Sequence, residues 1–293
     1  MSGPKRHHYI AQMHSKRFAD PDGILHVFDS RRPHKGVQKR TPRNLFVEGD
    51  FYTQVDGDGT KDVSVETEFL ARLDSDASPV IEKIVNAARR GCPPNLSVAE
   101  KDVWVEFTYI QFKRVPERRE KNKEEILQEM RRKLDFIGRF QPFSDRELSI
   151  LDDEETMERL FRNSSIQNVR MTSVKVSGVL SEKRIGVAVI RKPKPKRSFV
   201  IGSNPVVKMS NPGRSHLADP TVEVWLPLAR DVAVTPCPGE RDKVVSANDR
   251  HIREINKSIF QQSTVIAGCS REVIESIVGD YSENNSERLG HAI

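Results

Sequence analysis

The sequence predicts an α+β protein in which a helical N-terminal half packs on a mostly antiparallel C-terminal sheet, and three observations carry that expectation. Apolar residues recur at helical spacing between residues 62 and 163. Two capping-box spacings, Ser97-Val98-Ala99-Glu100 and Ser144-Asp145-Arg146-Glu147, open helices within that stretch. Beyond residue 168 the pattern changes to alternating valines, which favour a pleated, half-buried surface.

Each element follows in order. Ile24-Leu25-His26-Val27-Phe28-Asp29 comes after an Asp22-Gly23 turn and reads as a short strand, so a hairpin from Phe18 to Phe28 is expected. Asp56-Gly57-Asp58-Gly59 lacks the closing glutamate of a calcium loop and reads as a plain turn. Val65, Phe69 and Leu73, then Ile81, Ile84 and Val85, give two helices broken near residues 74–78, with Ser78-Pro79 starting the second. The helix from Ser97 carries Val103, Trp104, Phe107 and Ile110 and ends near Pro116. Residues 117–139 form a charge-dense helix in which Glu117–Lys121 and Glu129–Lys133 are spaced to pair. Ser144 opens a helix running to about Asn163.

In the second half, residues 168–190 read as a strand pair turning around residues 181–184, through Val174, Val176 and Val179, then Ile185, Val187 and Val189. The Arg191–Arg197 run, with Pro193 and Pro195, is a solvated loop before a strand at Phe199-Val200-Ile201. Residues 222–228 and 232–235 are further strands, 247–262 a helix, 264–268 a strand and 271–278 a last helix. The expected organisation is a single α+β domain over residues 1–284, comprising a basic, histidine-rich segment (1–60), a helical part (61–165) and a sheet-containing part (168–284), with a disordered tail at 285–293.

Charge is distributed unevenly. Residues 1–40 hold nine Lys/Arg against three acids, an excess of six that equals the +6 of all 293 residues, so the basic character is local. Five of the eight histidines, His7, His8, His14, His26 and His34, lie in the same segment. A local basic segment points to an anionic partner such as phosphate, nucleic acid (RNA or DNA) or an acidic protein surface, or to a solubilising arm. With 31% charged residues and no apolar run of membrane-spanning length, the expectation is a cytosolic protein. Cys92, Cys237 and Cys269 are widely spaced and outside any C-x-x-C pattern, which argues against a disulfide framework or a zinc knuckle.

Several landmarks recur in a known order. Lys5, His8-Tyr9-Ile10, Gln12 and Arg17-Phe18 are followed by Pro42, Asn44, Asp50-Phe51-Tyr52 and Glu66, then by Phe107, Gln111, Arg114 and Pro116, and later by Phe199 to Val206 and Leu226-Pro227-Leu228. Over almost its full length the chain thereby resembles a mainly bacterial family, domain of unknown function 4238. It departs from the family pattern at Ala11, where proline stands in the family, at Val115 in place of threonine, and at Ser203 in place of aspartate. The resemblance implies one co-folded unit and brings no activity with it.

The chemistry these residues support is acid–base. Side chains alternate in an extended segment, so His7 and His8 cannot share a pocket, and the family pattern favours His8 as the inward one. An imidazole titrating near neutrality suits proton transfer, and a cation beside it suits an anionic substrate. The candidate site takes His8, Glu66 and Lys5 as catalytic groups and Tyr9, Gln111, Arg114 and Asn44 as substrate-binding groups, with no metal. Glu66 and Glu68 lie two residues apart on a helix and splay by roughly 200°, so at most one of them joins the site, and Asp50 is the alternative carboxylate. A metal set of His8, His14 or His26 with Asp50 lacks a recognised ligand spacing, and no G-x-S-x-G elbow or phosphate-binding glycine loop is present. The expected function is metal-independent phosphodiester chemistry on nucleic acid. The alternative is a noncatalytic interaction module for nucleic acid or protein, in which Glu66 pairs with Arg43 or Arg114 to hold the N-terminal segment. Neither reading assigns a cofactor.

Overall fold

The computed structural model describes residues 6–121, 123–145, 149, 153–210, 219 and 221–279. Lys5, the tail, and residues 146–148 and 150–152 of the helix expected from Ser144 lie outside these residues; the rest of that helix is present from Glu154, capped by the Asp153 side chain. Thirteen strands are defined among them. They are β1 (Arg6–His8), β2 (Leu25–Asp29), β3 (Gln38–Arg40), β4 (Val47–Gly49), β5 (Gln54–Val55), β6 (Lys61–Asp62), β7 (Arg184–Val189), β8 (Ile201–Gly202), β9 (Val207–Met209), β10 (Glu223–Ala229), β11 (Val232–Cys237), β12 (Lys243–Ser246) and β13 (Val265–Gly268). They make a five-stranded sheet in the order β12-β7-β11-β10-β9, a four-stranded sheet β3-β2-β13-β8, and the two-stranded ribbons β1-β4 and β5-β6. All pairings are antiparallel except β12 with β7. The α+β expectation therefore holds, but the sheet is not confined to the second half. β2 pairs with β13 from near the other end of the chain, and this replaces the expected hairpin, because Lys16–Phe18 is a 3-10 turn with Phe18 in the core.

The helices are α1 (Gln12–Ser15), α2 (Ala71–Arg90), α3 (Val98–Lys113), α4 (Pro116–Lys121), α5 (Lys123–Phe140), α6 (Glu154–Arg170), α7 (Val174–Glu182), α8 (Asp249–Gln262) and α9 (residues 271–279). The break expected at 74–78 does not occur. A π-helical turn, Val65–Leu70, runs straight into α2, which continues through Pro79. Pro79 and Ser75 are both exposed, so the carbonyl that loses its N–H partner can turn to water. The apolar stripe Leu73, Ala77, Val80, Ile81, Ile84, Val85 and Ala88 then buries as one face, packed on β7, β10 and β11. At its end Gly91 takes the left-handed conformation that closes the helix, and Arg89 grips Asp231 with two hydrogen bonds of 2.8 Å.

The capping box at Ser97 is present in both directions and opens α3. The strand pair expected at 168–190 is half corrected. Val174–Glu182 is a helix, capped by the Ser173 hydroxyl, in which Val176 and Leu180 fall one turn apart and pack toward the core while Val174 is exposed. Only Arg184–Val189 is a strand, and it is central, with Ile185 to Val189 all buried. Such a short valine-rich run fits either period, and the cap decides. Between α4 and α5 Glu117 turns inward to the Thr264 hydroxyl, and the Lys121 side chain expected to pair with it lies outside the described residues, whereas Glu129 meets both Arg132 and Lys133 on the surface. The three cysteines are free thiols. No helix among the described residues is long and apolar enough to cross a membrane.

Candidate functional site

The N-terminal segment lies in the ribbon β1-β4, with His7 opposite Glu48 and His8 opposite Val47. This register corrects the assignment of the inward imidazole. It is His7 that is fully buried, its Nδ1 accepting the Tyr52 amide at 2.9 Å and its ring stacked on Tyr52. His8, on the opposite face, is half-buried and stands over α2. Its Nε2 lies 3.2 Å from the Arg43 carbonyl, an acceptor only, so Nε2 carries the proton and Nδ1 keeps its lone pair. Burial lowers the His8 pKa against the hydrogen bond to the Arg43 carbonyl, helped by the charges of Arg6 and Arg114 and opposed also by Asp74, which keeps the ring neutral near pH 7.

Glu66 approaches His8 from the π-helical turn. That wider turn faces Glu66 inward while Glu68 is exposed, so only one of the two joins the cluster. Burial raises the Glu66 pKa to about 7, with Arg114 and the His8 backbone N–H opposing the shift and Asp74 reinforcing it. Its Oε2 is sealed from solvent and has no hydrogen-bond partner among the described residues. Arg114, at the end of α3, has a side chain with no solvent exposure. It donates to Asp74 Oδ1 at 3.0 Å and, through Nε at 3.0 Å, to the Gln111 carboxamide oxygen. Its own carbonyl accepts the Tyr52 hydroxyl at 2.6 Å. The partner expected for Arg114 was Glu66, and the ion pair instead goes to Asp74, whose pKa burial raises.

Four of the residues singled out from sequence thus converge: His8, Glu66, Gln111 and Arg114. Gln111 and Arg114 are sealed, so in this conformation they position the cluster rather than reach a ligand. Asp74 was missed, because the expected helix break removed it from the face it shares with the π-turn. Among the described residues no group of three or more His, Cys, Asp or Glu side chains converges as a metal site. His14 is buried instead, its Nε2 at 2.7 Å from the Pro227 carbonyl and its pKa lowered to about 4 by burial.

Tyr9 and Asn44 go elsewhere. They line a cavity of about 190 Å³ with Arg31, Arg32, Lys35 and Arg40, beside β2 and β3. Tyr9 is anchored by its amide on the Phe46 carbonyl at 3.0 Å and by ring contacts with Phe46 and Phe51. Phe46 and Asp50, bracketing β4, both hold positive φ (54° and 51°), uncommon for residues with side chains and most often found where function over-determines the backbone. Arg31 is clamped by both Asp29 oxygens, Arg40 donates to Gln38 and Arg6 to Asn44. Arg32 and Lys35 are exposed and meet no acid among the described residues. The Arg191–Arg197 loop is engaged differently, Arg191 on the Arg89 carbonyl and Arg197 on Asp249.

A second polar knot, not foreseen from sequence, joins α4 to the four-stranded sheet. Glu117 Oε1 accepts from the Thr264 amide (3.0 Å), the Thr264 hydroxyl (2.8 Å) and the Ser203 hydroxyl. Gly202 brings Ser203 there, since a Cβ at 202 would lie 2.1 Å from Ser263 Oγ. Ser203 stands where the family pattern has aspartate, and here its hydroxyl donates to a carboxylate that an aspartate would repel.

Compared with known families, the chain matches the one described as "Protein of unknown function (DUF4238)" over residues 6–277. The chain belongs to this family. The match takes in β1, the cluster on α2 and α3, the Glu117–Ser203 knot and β13, so the candidate site lies wholly on family sequence apart from Lys5. No curated protein matches the chain. No solved structure matches it either.

Proposed function

We propose that this protein is a cytosolic nucleic-acid-binding protein that holds the phosphate backbone of RNA or DNA along the basic cavity beside β2 and β3. The observation that carries the reading is the lining of that cavity. Four cations, Arg31, Arg32, Lys35 and Arg40, stand against one acid, Asp29, with Arg32 and Lys35 exposed and unpaired. Cations that the protein leaves unneutralised are the usual means of displacing counterions from a phosphate chain, and such binding weakens steeply with salt. The Tyr9 ring is held by its neighbours, so contact with the backbone rather than stacking on bases is expected.

The test is a salt titration of binding to single-stranded RNA and DNA. Arg32→Gln and Lys35→Gln should each lower the slope of log K against log salt by about 1. Binding that ignores salt, or ignores both substitutions, would refute the reading.

A second reading, phosphodiester cleavage, is favoured by one observation of its own. His8 keeps an unprotonated Nδ1, and Glu66, which meets the His8 backbone N–H, is a carboxyl pushed up to about 7, so one cluster holds a base and an acid suited to proton transfer at neutral pH. In it His8 takes a proton from the attacking hydroxyl and Glu66 gives one to the leaving oxygen, while Asp74 and Arg114 hold the pair in place. Turnover of RNA or DNA that His8→Ala abolishes, with binding intact, supports cleavage. Unchanged binding with no turnover in either protein leaves the binding module alone.

A further inference from the structure

Away from the basic cavity and behind the His8 cluster, with which it shares Arg114, a cavity of about 70 Å³ opens where α3 passes into α4 and the pair packs on α6, among Phe51, Phe112, Arg118, Arg119, Ile126 and Ser165. Its charged walls are cationic throughout: Lys113, Arg114, Arg118 and Arg119 line it and no carboxylate does. Lys113 and Arg114 are already engaged, Lys113 by the Asn168 and Met171 carbonyls at the end of α6 and Arg114 by Asp74. Arg118 and Arg119 are not. The Arg118 guanidinium lies 3.8 Å from the Phe112 ring centroid, and it has no hydrogen bond or ion pair to any described residue. Arg119, 5.1 Å from the Phe51 centroid, reaches only the Phe51 carbonyl, at 3.4 Å. The charge that acts on it most strongly is another cation, Arg162, ahead of the carboxylates Glu48 and Glu120; Arg162 donates to the Asp50 carbonyl and its Nε has no partner among the described residues. The hydroxyl of Ser165, a residue only 9% exposed, is a further orphan in the wall.

A half-buried guanidinium without an acceptor costs the fold energy, and native proteins seldom keep one unless a ligand completes it. We propose that Arg118, Arg119 and Ser165 form a binding site for the phosphoryl group of a small phosphomonoester whose apolar body rests on Phe51, Phe112 and Ile126. The donors decide the class. Two guanidinium groups braced on separate rings, with a hydroxyl from another helix, offer more donors than the two oxygens of a planar carboxylate can take and suit the three oxygens of a phosphoryl group. Volume agrees, since about 70 Å³ exceeds what one water needs and is too small for a nucleotide. The site is separate from the basic cavity beside β2 and β3 and does not depend on the function proposed for it.

Titration calorimetry of the full chain with inorganic phosphate and with phenyl phosphate, at matched ionic strength, tests the site. Both should bind, phenyl phosphate more tightly, and benzoate should bind more weakly than phenyl phosphate. Arg118→Gln should weaken phenyl phosphate about tenfold or more and Ser165→Ala about threefold to tenfold, the usual cost of losing a charged or a neutral hydrogen bond. Arg32→Gln, in the other cavity, should leave it unchanged. Circular dichroism verifies folding, and if Arg118→Gln unfolds, the smaller Ser165→Ala change and the Arg32→Gln control decide. No saturable binding of either probe to the wild-type chain, a benzoate affinity equal to that of phenyl phosphate, binding that Ser165→Ala leaves intact, or binding lost with Arg32→Gln would overturn the proposal.

Discussion

On the His8 side of the first strand the charges have been drawn out of water and set against one another, with Arg114 on Asp74, Gln111 behind them and Glu66 close by. On the Tyr9 side, Arg31, Arg32, Lys35 and Arg40 line an open cavity with Asp29 as the one acid. Two residues that are neighbours in sequence therefore border environments of opposite kind. The difference teaches what each can do. Desolvation holds His8 neutral and moves Glu66 to about 7, which makes proton transfer feasible, whereas the open cavity sets four cations against one acid and suits attraction of an anion. Buried polar groups are sensitive to any change of partner, and exposed charges are not.

The largest effect expected from this contrast is at the buried ion pair. Asp74→Ala leaves the Arg114 guanidinium sealed without its counter-charge, and removing one partner of such a pair costs about 3–5 kcal/mol. Urea unfolding at pH 7 measures it. A loss below about 1 kcal/mol would mean that Arg114 finds relief elsewhere and that α2 and α3 are not tied through it. The same cut at the open side, by contrast, has no buried partner to strand.

That pair also marks where the sequence stopped being legible. Helix-forming stretches with their own start signals could be read, as at Ser97 and in the α2 stripe, because capping and periodicity are local. Pro79 was misread as a helix start because its cost depends on whether Ser75 is exposed, which spacing does not reveal, and Asp74 was lost with it. The partner of β2 lies more than two hundred residues away, and no local rule brings β13 beside it. His8, Glu66, Gln111 and Arg114 could be grouped through the family resemblance, but their burial could not. Arg118 and Arg119 sit in a run so rich in charge that they read as solvated helix surface, and only the packing of Phe51, Phe112 and α6 around them turns them into a cavity wall.

Next in size is a dependence on pH in which two buried groups act with opposite sign. Glu66 holds its proton to about pH 7 in the fold against 4.5 when exposed, so its contribution is complete below pH 4.5 and is lost as pH rises through 7. His14 loses its proton at about pH 4 in the fold against 6.5 when exposed, so its contribution is complete above pH 6.5 and is lost as pH falls through 4. Either is worth at most about 3 kcal/mol, and between pH 4.5 and 6.5 their slopes oppose, giving the wild-type chain a shallow profile there. Glu66→Gln removes the alkaline limb. Its stability at pH 8 relative to pH 5 should exceed the wild-type difference by up to about 3 kcal/mol, read by urea unfolding at both pH values. Parallel profiles for the two proteins would show that Glu66 is ionised and well solvated, and would remove the acid from the cleavage reading.

The smallest effect on stability belongs to the open cavity, and its smallness is the informative part. Arg32 and Lys35 bound the short 3-10 turn Pro33–Lys35, but their side chains are exposed, cap nothing and form no ion pair among the described residues, so Arg32→Gln and Lys35→Gln should each leave the unfolding free energy within about 0.5 kcal/mol of wild type. Removing a cation from a cluster of like charge can even stabilise slightly, through relief of repulsion. If instead either substitution costs about 2 kcal/mol or more, the side chain has a structural partner, and a cavity whose cations already serve the fold has less charge left to offer a phosphate chain. A neutral result joined to a lowered salt slope would separate binding from folding at these positions, which no substitution in the His8 cluster can do.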